Sequence, residues 1–316
     1  MTSLRRLGAT DIHIAPLVLG GNVFGWTADR DTSFAVLDAF VAAGGTMIDT
    51  ADLYSSWVPG HVGGESERVI GEWLKTGGKR DKVQIATKVG MLPGEGGKGL
   101  APARIAAAAD ESLMRLGIER IDLYFAHEDD DAVRQEDALA AFGKLIDAGK
   151  VRALGASNFH AMRLKSANDA AKAHGLPHYQ VLQPEYNLVS RHKFEGELQD
   201  YCVVHDIGVV PYYGLASGFL TGKYRSTADL GKSVRGGQMG ELLEGKGTAV
   251  LAAMDEVAAD TGATLAQIAL AWLAAQPGVT APIASATSVE QLQELLPAMD
   301  LALSADQLER LDAAGA

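Results

Sequence analysis

Short runs of apolar and β-branched residues recur along the chain, at residues 15–20, 46–50, 83–88, 121–127, 151–157, 181–184, 208–212 and 279–285. Several, such as IDLYFAH, are apolar almost throughout rather than alternating, which suits parallel strands covered on their outer face. Between them, apolar residues fall at helical spacing over 31–43, 65–76, 102–116, 132–148, 160–174, 193–205 and 265–276. Asp31 precedes the first of these stretches, and Gly44-Gly45 end it where a left-handed cap is wanted. Pro102 sits early in its stretch, where a missing N–H costs little, and Gly149 and Gly175 close two others. Eight strands alternating with helices predict an α/β fold, a (β/α)8 TIM barrel, with a doubly wound open sheet as its competitor. Residues 4–14, with Gly8 near a turn, read as an N-terminal β-hairpin closing the bottom of the barrel. Residues 226–247 are rich in glycine and charge and read as a long loop. No Pro/Ser-rich linker interrupts the pattern, so residues 1–316 are expected to form a single domain.

Charge and composition narrow the function classes. A formal net charge of −12 lacks the clustered basic face that nucleic acid requires. It also means that an anionic cofactor must be held by local features against the overall field. The one cysteine, Cys202, permits neither an intramolecular disulfide nor a thiolate metal cluster. The start of the sequence shows no apolar stretch resembling a signal peptide, and no run of eighteen apolar residues occurs. A cytoplasmic protein without a membrane span is the expectation.

Two glycine patterns are decoys. Gly94-Glu95-Gly96-Gly97-Lys98-Gly99 satisfies G-x-G-x-x-G, but it neither follows its strand directly nor opens a helix at once. The run GELLEGKG misses a P-loop because Gly247 stands where a Ser or Thr must hold magnesium.

The chemistry gathers instead where the predicted strands end. In such a barrel, functional residues project from the C-terminal strand ends. Reading them in order gives Asp49, Lys88, His127, Ser157-Asn158, Gln183 and Tyr212, with Tyr54 in the loop after Asp49. Singly, each has a structural explanation: a helix cap, a solvated lysine, a rim aromatic, a surface histidine. Together they would all face one opening.

The segments GTMIDTADLY, IATK, SLMRLGIERIDLYFAH, VRALGASNF, LQPEYN and VVPYYGLASGFLTGKY resemble the aldo-keto reductase family, in order and at natural spacing, from about Leu4 to Leu296. The resemblance implies a barrel that reduces aldehydes and ketones with NADPH, needing no metal. It implies Asp49, Tyr54, Lys88 and His127 as the catalytic tetrad: Tyr54 the proton donor, Lys88 lowering its pKa, Asp49 fixing Lys88, and His127 orienting the carbonyl. It implies Ser157, Asn158 and Gln183 on the nicotinamide carboxamide, and Tyr212 stacked on the ring. Gly21 and Asn22 join the cofactor set. The segment containing Leu215, Ser217, Gly218, Leu220 and Gly222 would wrap the pyrophosphate, with Lys223, Arg225 and Arg235 compensating its charge. Phe24, Trp26 and Trp57 are expected in the substrate pocket wall.

Near the last strand the sequence departs from the family. Ser285 replaces a usual glycine, and Thr287 holds a position often cationic, followed by Ser288 and Gln291. Thr287 and Ser288 are expected to offer hydrogen bonds to a ribose 2′-phosphate in place of an arginine, so NADH use beside NADPH is also expected. Two alternatives stand beside a reductase: a cofactor-binding regulatory β-subunit with slow turnover, and a Schiff-base aldolase using Lys88.

Overall fold

Six of the eight parallel strands that form the barrel are shorter than the apolar runs that announce them. The computed structural model describes residues 3–232, 237 and 239–316. A hairpin, β1 (Arg5–Arg6) and β2 (His13–Ile14), comes first. The barrel strands are β3 (Val18–Gly20), β4 (Met47–Asp49), β5 (Gln84–Val89), β6 (Ile121–Ala126), β7 (Val151–Ser157), β8 (Val181–Gln183), β9 (Gly208–Val209) and β10 (Ile283–Ala284). They pair in the order β10-β3-β4-β5-β6-β7-β8-β9. The last gap is spanned by a parallel bridge between Val209 and Val279, with Ile283 N–H donating to the Pro211 carbonyl at 2.9 Å. The sheet thus curls round on itself as a (β/α)8 barrel.

Side chains fill its interior. Val18, Met47, Leu123, Phe125, Val181 and Val210 meet there, joined from below by Leu7, Ile12 and Ile14 of the hairpin. Phe125 fits because its neighbour on β7 is Gly155, where a Cβ would lie 2.3 Å from the ring. Gly8 turns the hairpin at φ +53°, and a Cβ there would sit 2.2 Å from the Gly208 nitrogen. The hairpin therefore seats against the N-terminal ends of the strands, leaving the C-terminal ends as the open mouth.

The helices are α1 (Arg30–Ala42), α2 (Glu65–Leu74), α3 (Pro102–Leu116), α4 (Gln135–Asp147), α5 (Ala161–His174), α6 (Glu197–Val204), α7 (Gly240–Glu244), α8 (Gly247–Thr261), α9 (Leu265–Ala275), α10 (Val289–Leu295) and α11 (Ala305–Gly315). Asp29, not Asp31, caps α1, its carboxylate accepting from Thr32 N–H. Asp31 lies in the first turn, where its charge still suits the helix dipole. Residues 226–247 are not a plain loop: they hold a 3₁₀ segment, Thr227–Lys232, and the short α7. Helices α8, α10 and α11 were not expected from the pattern. Among the described residues, no single helix is long and apolar enough to cross a membrane.

Candidate active site

Strand β4 ends in Asp49, and β5 carries Lys88 one residue before its end. Both are buried, a setting that a charge tolerates only with close partners. Lys88 Nζ donates to Asp49 Oδ2 at 2.7 Å, to the Thr50 carbonyl at 2.8 Å and to the Tyr54 hydroxyl at 2.9 Å. Its three protons are all engaged. The Tyr54 hydroxyl donates to Asp49 Oδ2 at 3.3 Å, and Gln183 Nε2 donates to Asp49 Oδ1 at 2.9 Å. Asp49 therefore ties together two strand ends and the loop that bears Tyr54.

The electrostatics differ from expectation in one respect. Burial, helped by the Asp49 carboxylate, holds the Tyr54 phenol well above its ordinary value rather than lowering it. The Lys88 contact is present, but desolvation of the phenolate outweighs it. Burial also lowers Lys88, against the pull of Asp49. His127, just after β6, is held well below the usual histidine range by burial and by Lys88, so it is neutral at pH 7. Its ring centroid lies 6.1 Å from that of Tyr54. His127 Nδ1 is enclosed without a hydrogen-bond partner. A proton there would strand a buried donor, which proteins tolerate less well than a stranded lone pair, so the single N–H belongs on Nε2.

A second arc of polar groups continues round the mouth. Ser157 Oγ donates to the Gln183 carbonyl at 2.8 Å. Asn158 Nδ2 donates to the His127 carbonyl at 2.9 Å, and Tyr212 Oη donates to Asn158 Oδ1 at 2.8 Å. The Tyr212 ring stays half-buried beside that of Tyr213, 5.0 Å between centroids. Ser55, Asn158, Tyr213, Ala216 and Ser217 all hold positive φ without being glycine. Such backbone costs on the order of 1–3 kcal/mol per residue and gathers at functional sites.

The remaining expected cofactor positions sort unevenly. Ser217 and Gly218 are partly exposed in the left-handed run, and Leu215 is half-buried at its start. Leu220 is fully buried, with its N–H engaged by the Leu215 carbonyl, and Gly222 is the left-handed cap of the segment. Lys223 lies beside Gly218, where its Nζ would be 3.0 Å from a Cβ. Arg225 is instead held by Asp255 through two contacts of 2.7 and 2.8 Å, and Arg235 lies outside the described residues. Gly21 is buried against β4, its N–H donating to the Asp49 carbonyl at 2.7 Å. Ser285 Oγ donates to Asn22 Oδ1 at 2.6 Å and fills the space left by Gly20. Thr287 gives both its N–H and its hydroxyl to Gln291 Oε1 at 2.9 Å, and Ser288 caps α10.

On the substrate side, Trp57 stacks edge-on to Trp26 at 5.4 Å and to Tyr54 at 6.2 Å. Phe24 does not join them. Its ring is fully buried with Val36, Phe40 and Ile70, because the loop after β3 folds back over α1 and α2.

Residues 16–316 match the family model described as the aldo/keto reductase family. The chain belongs to the aldo/keto reductase family. It is 32% identical to an uncharacterized oxidoreductase of Bacillus subtilis, covering 97% of this chain and 94% of that one. A probable voltage-gated potassium channel subunit beta of Arabidopsis thaliana is 31% identical, covering 94% of this chain and 91% of that one. An aryl-alcohol dehydrogenase [NADP(+)] of Phanerodontia chrysosporium is 29% identical, over 95% of this chain and 82% of its own length.

Three contributors to the site of this aldo/keto reductase are not among those read from the sequence. The Thr50 carbonyl is one, and a main-chain acceptor carries no side-chain signature. The others are Tyr213, largely exposed beside Tyr212, and Asn187, which donates to the Tyr213 carbonyl at 3.0 Å. The PEYN motif that contains Asn187 was the available signal.

Proposed function

We propose that this aldo/keto reductase reduces aldehyde and ketone carbonyls of small molecules, sugars included, to alcohols, with NADPH as the preferred reductant, NADH as a second, and Tyr54 as proton donor. The observation that carries the reading is the Lys88 ammonium lying between the Asp49 carboxylate and the Tyr54 hydroxyl. That arrangement loads an acid and supports the base it leaves behind. The donor set suits a nicotinamide dinucleotide: amides and a hydroxyl at the ends of β7 and β8, a half-buried Tyr212 ring, and a left-handed run at Ala216–Gly218 that admits close backbone approach.

When bound, the nicotinamide supplies a hydride to the carbonyl carbon. Ser157, Asn158 and Gln183 hold its carboxamide, and Tyr212 supports its ring. The Tyr54 hydroxyl gives its proton to the carbonyl oxygen as negative charge develops there. The Lys88 ammonium then stabilises the phenolate, and Asp49 keeps Lys88 in place and charged. His127 Nε2–H donates to the same oxygen and fixes its direction. Trp26 and Trp57 form an apolar wall at the mouth that limits water.

Loss of NADPH absorbance on mixing with a panel of aldehydes and ketones tests the proposal. Turnover that saturates with a carbonyl substrate supports it. Tight cofactor binding with no turnover on any member would instead favour a regulatory subunit, a reading supported by the similarity to a potassium channel subunit beta. A Schiff-base role for Lys88 is disfavoured by its three engaged protons, and borohydride trapping would test it.

A further inference from the structure

Beneath the Tyr54 loop lies a second group of buried charges that the proposed reaction does not use. Asp52 is fully buried, and neither carboxylate oxygen has a hydrogen-bond partner. The Arg104 guanidinium of α3, also fully buried, stands 3.7 Å away. Yet Arg104 directs its hydrogen bonds elsewhere, to Glu111 at 3.2 and 2.9 Å and to the Glu95 carbonyl at 2.9 Å. From α2, the buried Glu67 accepts from Thr87 Oγ1 and from Arg115 Nε, each at 2.6 Å. Tyr124 of β6 adds a buried hydroxyl with no partner.

This group is one positive charge short. Asp52, Glu67 and Glu111 share two guanidinium groups, and Glu67 and Glu111 take the direct contacts. An ionised buried carboxylate without hydrogen bonds is costly, so Asp52 is the member that gains by taking up a proton.

Its position makes that proton consequential. Asp52 N–H donates to the Lys88 carbonyl at 3.3 Å, and Tyr54 follows two residues later. The loop returns through Gly63 and Gly64. A Cβ at Gly63 would lie 2.8 Å from the Asp52 carbonyl oxygen, and one at Gly64 would lie 2.4 Å from Arg115 Nε. The segment bearing Tyr54 and Trp57 is thus closed at one end on Asp52 and at the other on Arg115.

We propose that Asp52 is a positioning residue for the Lys88–Tyr54 pair, a buried carboxyl that exchanges one proton against the Glu67–Arg104–Arg115 cluster and so sets the field and loop geometry the pair experiences. Burial, with the charge of Glu67 behind it, pushes this carboxyl up to about 7, while Arg104 and Arg115 pull the other way. Below that pH the cluster is balanced. Above it, the new negative charge supports the Lys88 ammonium, which counts Asp52 among the charges that raise it. Only the kinetic consequence rests on the reductase reading; the titration does not.

The test therefore begins with the free protein. Trp57 lies edge-on to Tyr54, so its emission, isolated by difference from Trp57→Phe, reports the loop. The expected result is an inflexion near neutral pH that vanishes in Asp52→Asn and moves toward acid by about one unit in Glu67→Gln. His61, whose Nδ1 lies 3.2 Å from the Ser55 carbonyl, and His127 also face this loop. A step that survives Asp52→Asn arises from another group and overturns the proposal. Should Asp52→Asn fail to fold, Glu67→Gln decides alone, and an unmoved inflexion there overturns the proposal equally. The second readout is kcat/KM against pH with NADPH and an aldehyde, where Asp52→Asn is expected to lose the neutral inflexion. A fluorescence step that disappears while the kinetic profile overlays wild type would refute the positioning role. Absence of any carbonyl turnover would sink the reductase reading and leave the fluorescence test standing.

Discussion

Lys88 Nζ and the Tyr54 hydroxyl lie 2.9 Å apart, joined across the mouth from strand β5 to the loop after β4. The ammonium donates and the phenol oxygen accepts, so Tyr54 keeps its own proton, directed at Asp49 3.3 Å away. Burial keeps that proton in place at neutral pH. The resting site therefore holds a protonated phenol beside a buried ammonium, and the roles proposed for the two separate into measurable contributions.

Tyr54→Phe removes the acid and leaves the ring. Turnover of an aldehyde is expected to fall by roughly 10²–10⁴-fold, the usual worth of a positioned general acid. Cofactor affinity, read by tryptophan quenching, is expected to change little, since Tyr54 is not among the groups assigned to the nicotinamide. A variant that retains wild-type turnover would remove Tyr54 as proton donor.

Lys88→Met keeps the volume and removes the charge. Asp49 would retain Gln183 and the Tyr54 hydroxyl but lose its buried cation. Breaking one side of a buried ion pair costs about 3–5 kcal/mol. Urea unfolding is expected to register a loss of that order together with loss of activity. Reduced stability with unchanged kcat would make Lys88 a structural residue only.

The barrel and the polar cluster at its mouth were legible because strand ends interrupt apolar runs with polar residues that have no packing reason to be there. Asp49, Lys88 and His127 each break such a run. The Gln183–Asp49 contact joins residues 134 apart and leaves no local trace. Arg104 and Arg115 sit on a helix where arginine ordinarily reads as a solvated face, so the burial of Arg104 and the largely covered Arg115 beside Asp52 and Glu67 were invisible. Phe24 misled for the converse reason, since an aromatic after a strand end suits a pocket wall and a packed loop equally. Helix α8 went unread because its small and apolar residues follow a glycine-rich stretch whose composition reads as loop.

His127 gives the protein an acid limb of stability. Its folded pKa lies well below the ordinary histidine value of 6.5, so the unfolded chain binds the extra proton first as pH falls. The stabilisation is complete above 6.5 and is lost as pH drops from 6.5 toward the lowered folded value. Wild type is expected to lose up to about 1.4 kcal/mol per pH unit in that window from this group. His127→Asn is expected to lack that component. Urea unfolding of both proteins at about pH 7.5, 6.5 and 5.5 compares the slopes. Parallel slopes would mean that His127 is not buried as a neutral imidazole.

On the proposed cofactor reading, Thr287 is the residue that would meet a ribose 2′-phosphate or hydroxyl. Its N–H and Oγ1 both go to Gln291 Oε1, so the residue offers no charge and few uncommitted donors. Arg225, the nearest described arginine in the chain sequence to the left-handed run, is already held by Asp255. Thr287→Arg would keep the backbone contact to Gln291 and add a planar fork suited to phosphate. NADPH affinity is expected to rise relative to NADH by about tenfold, or ~1.4 kcal/mol, with NADH affinity nearly constant. Parallel fluorescence titrations with the two cofactors measure the ratio, because Trp26 and Trp57 stand at the mouth. An unchanged ratio would place the 2′-phosphate away from residue 287, while equal tightening of both cofactors would mean that the new charge acts on the shared pyrophosphate.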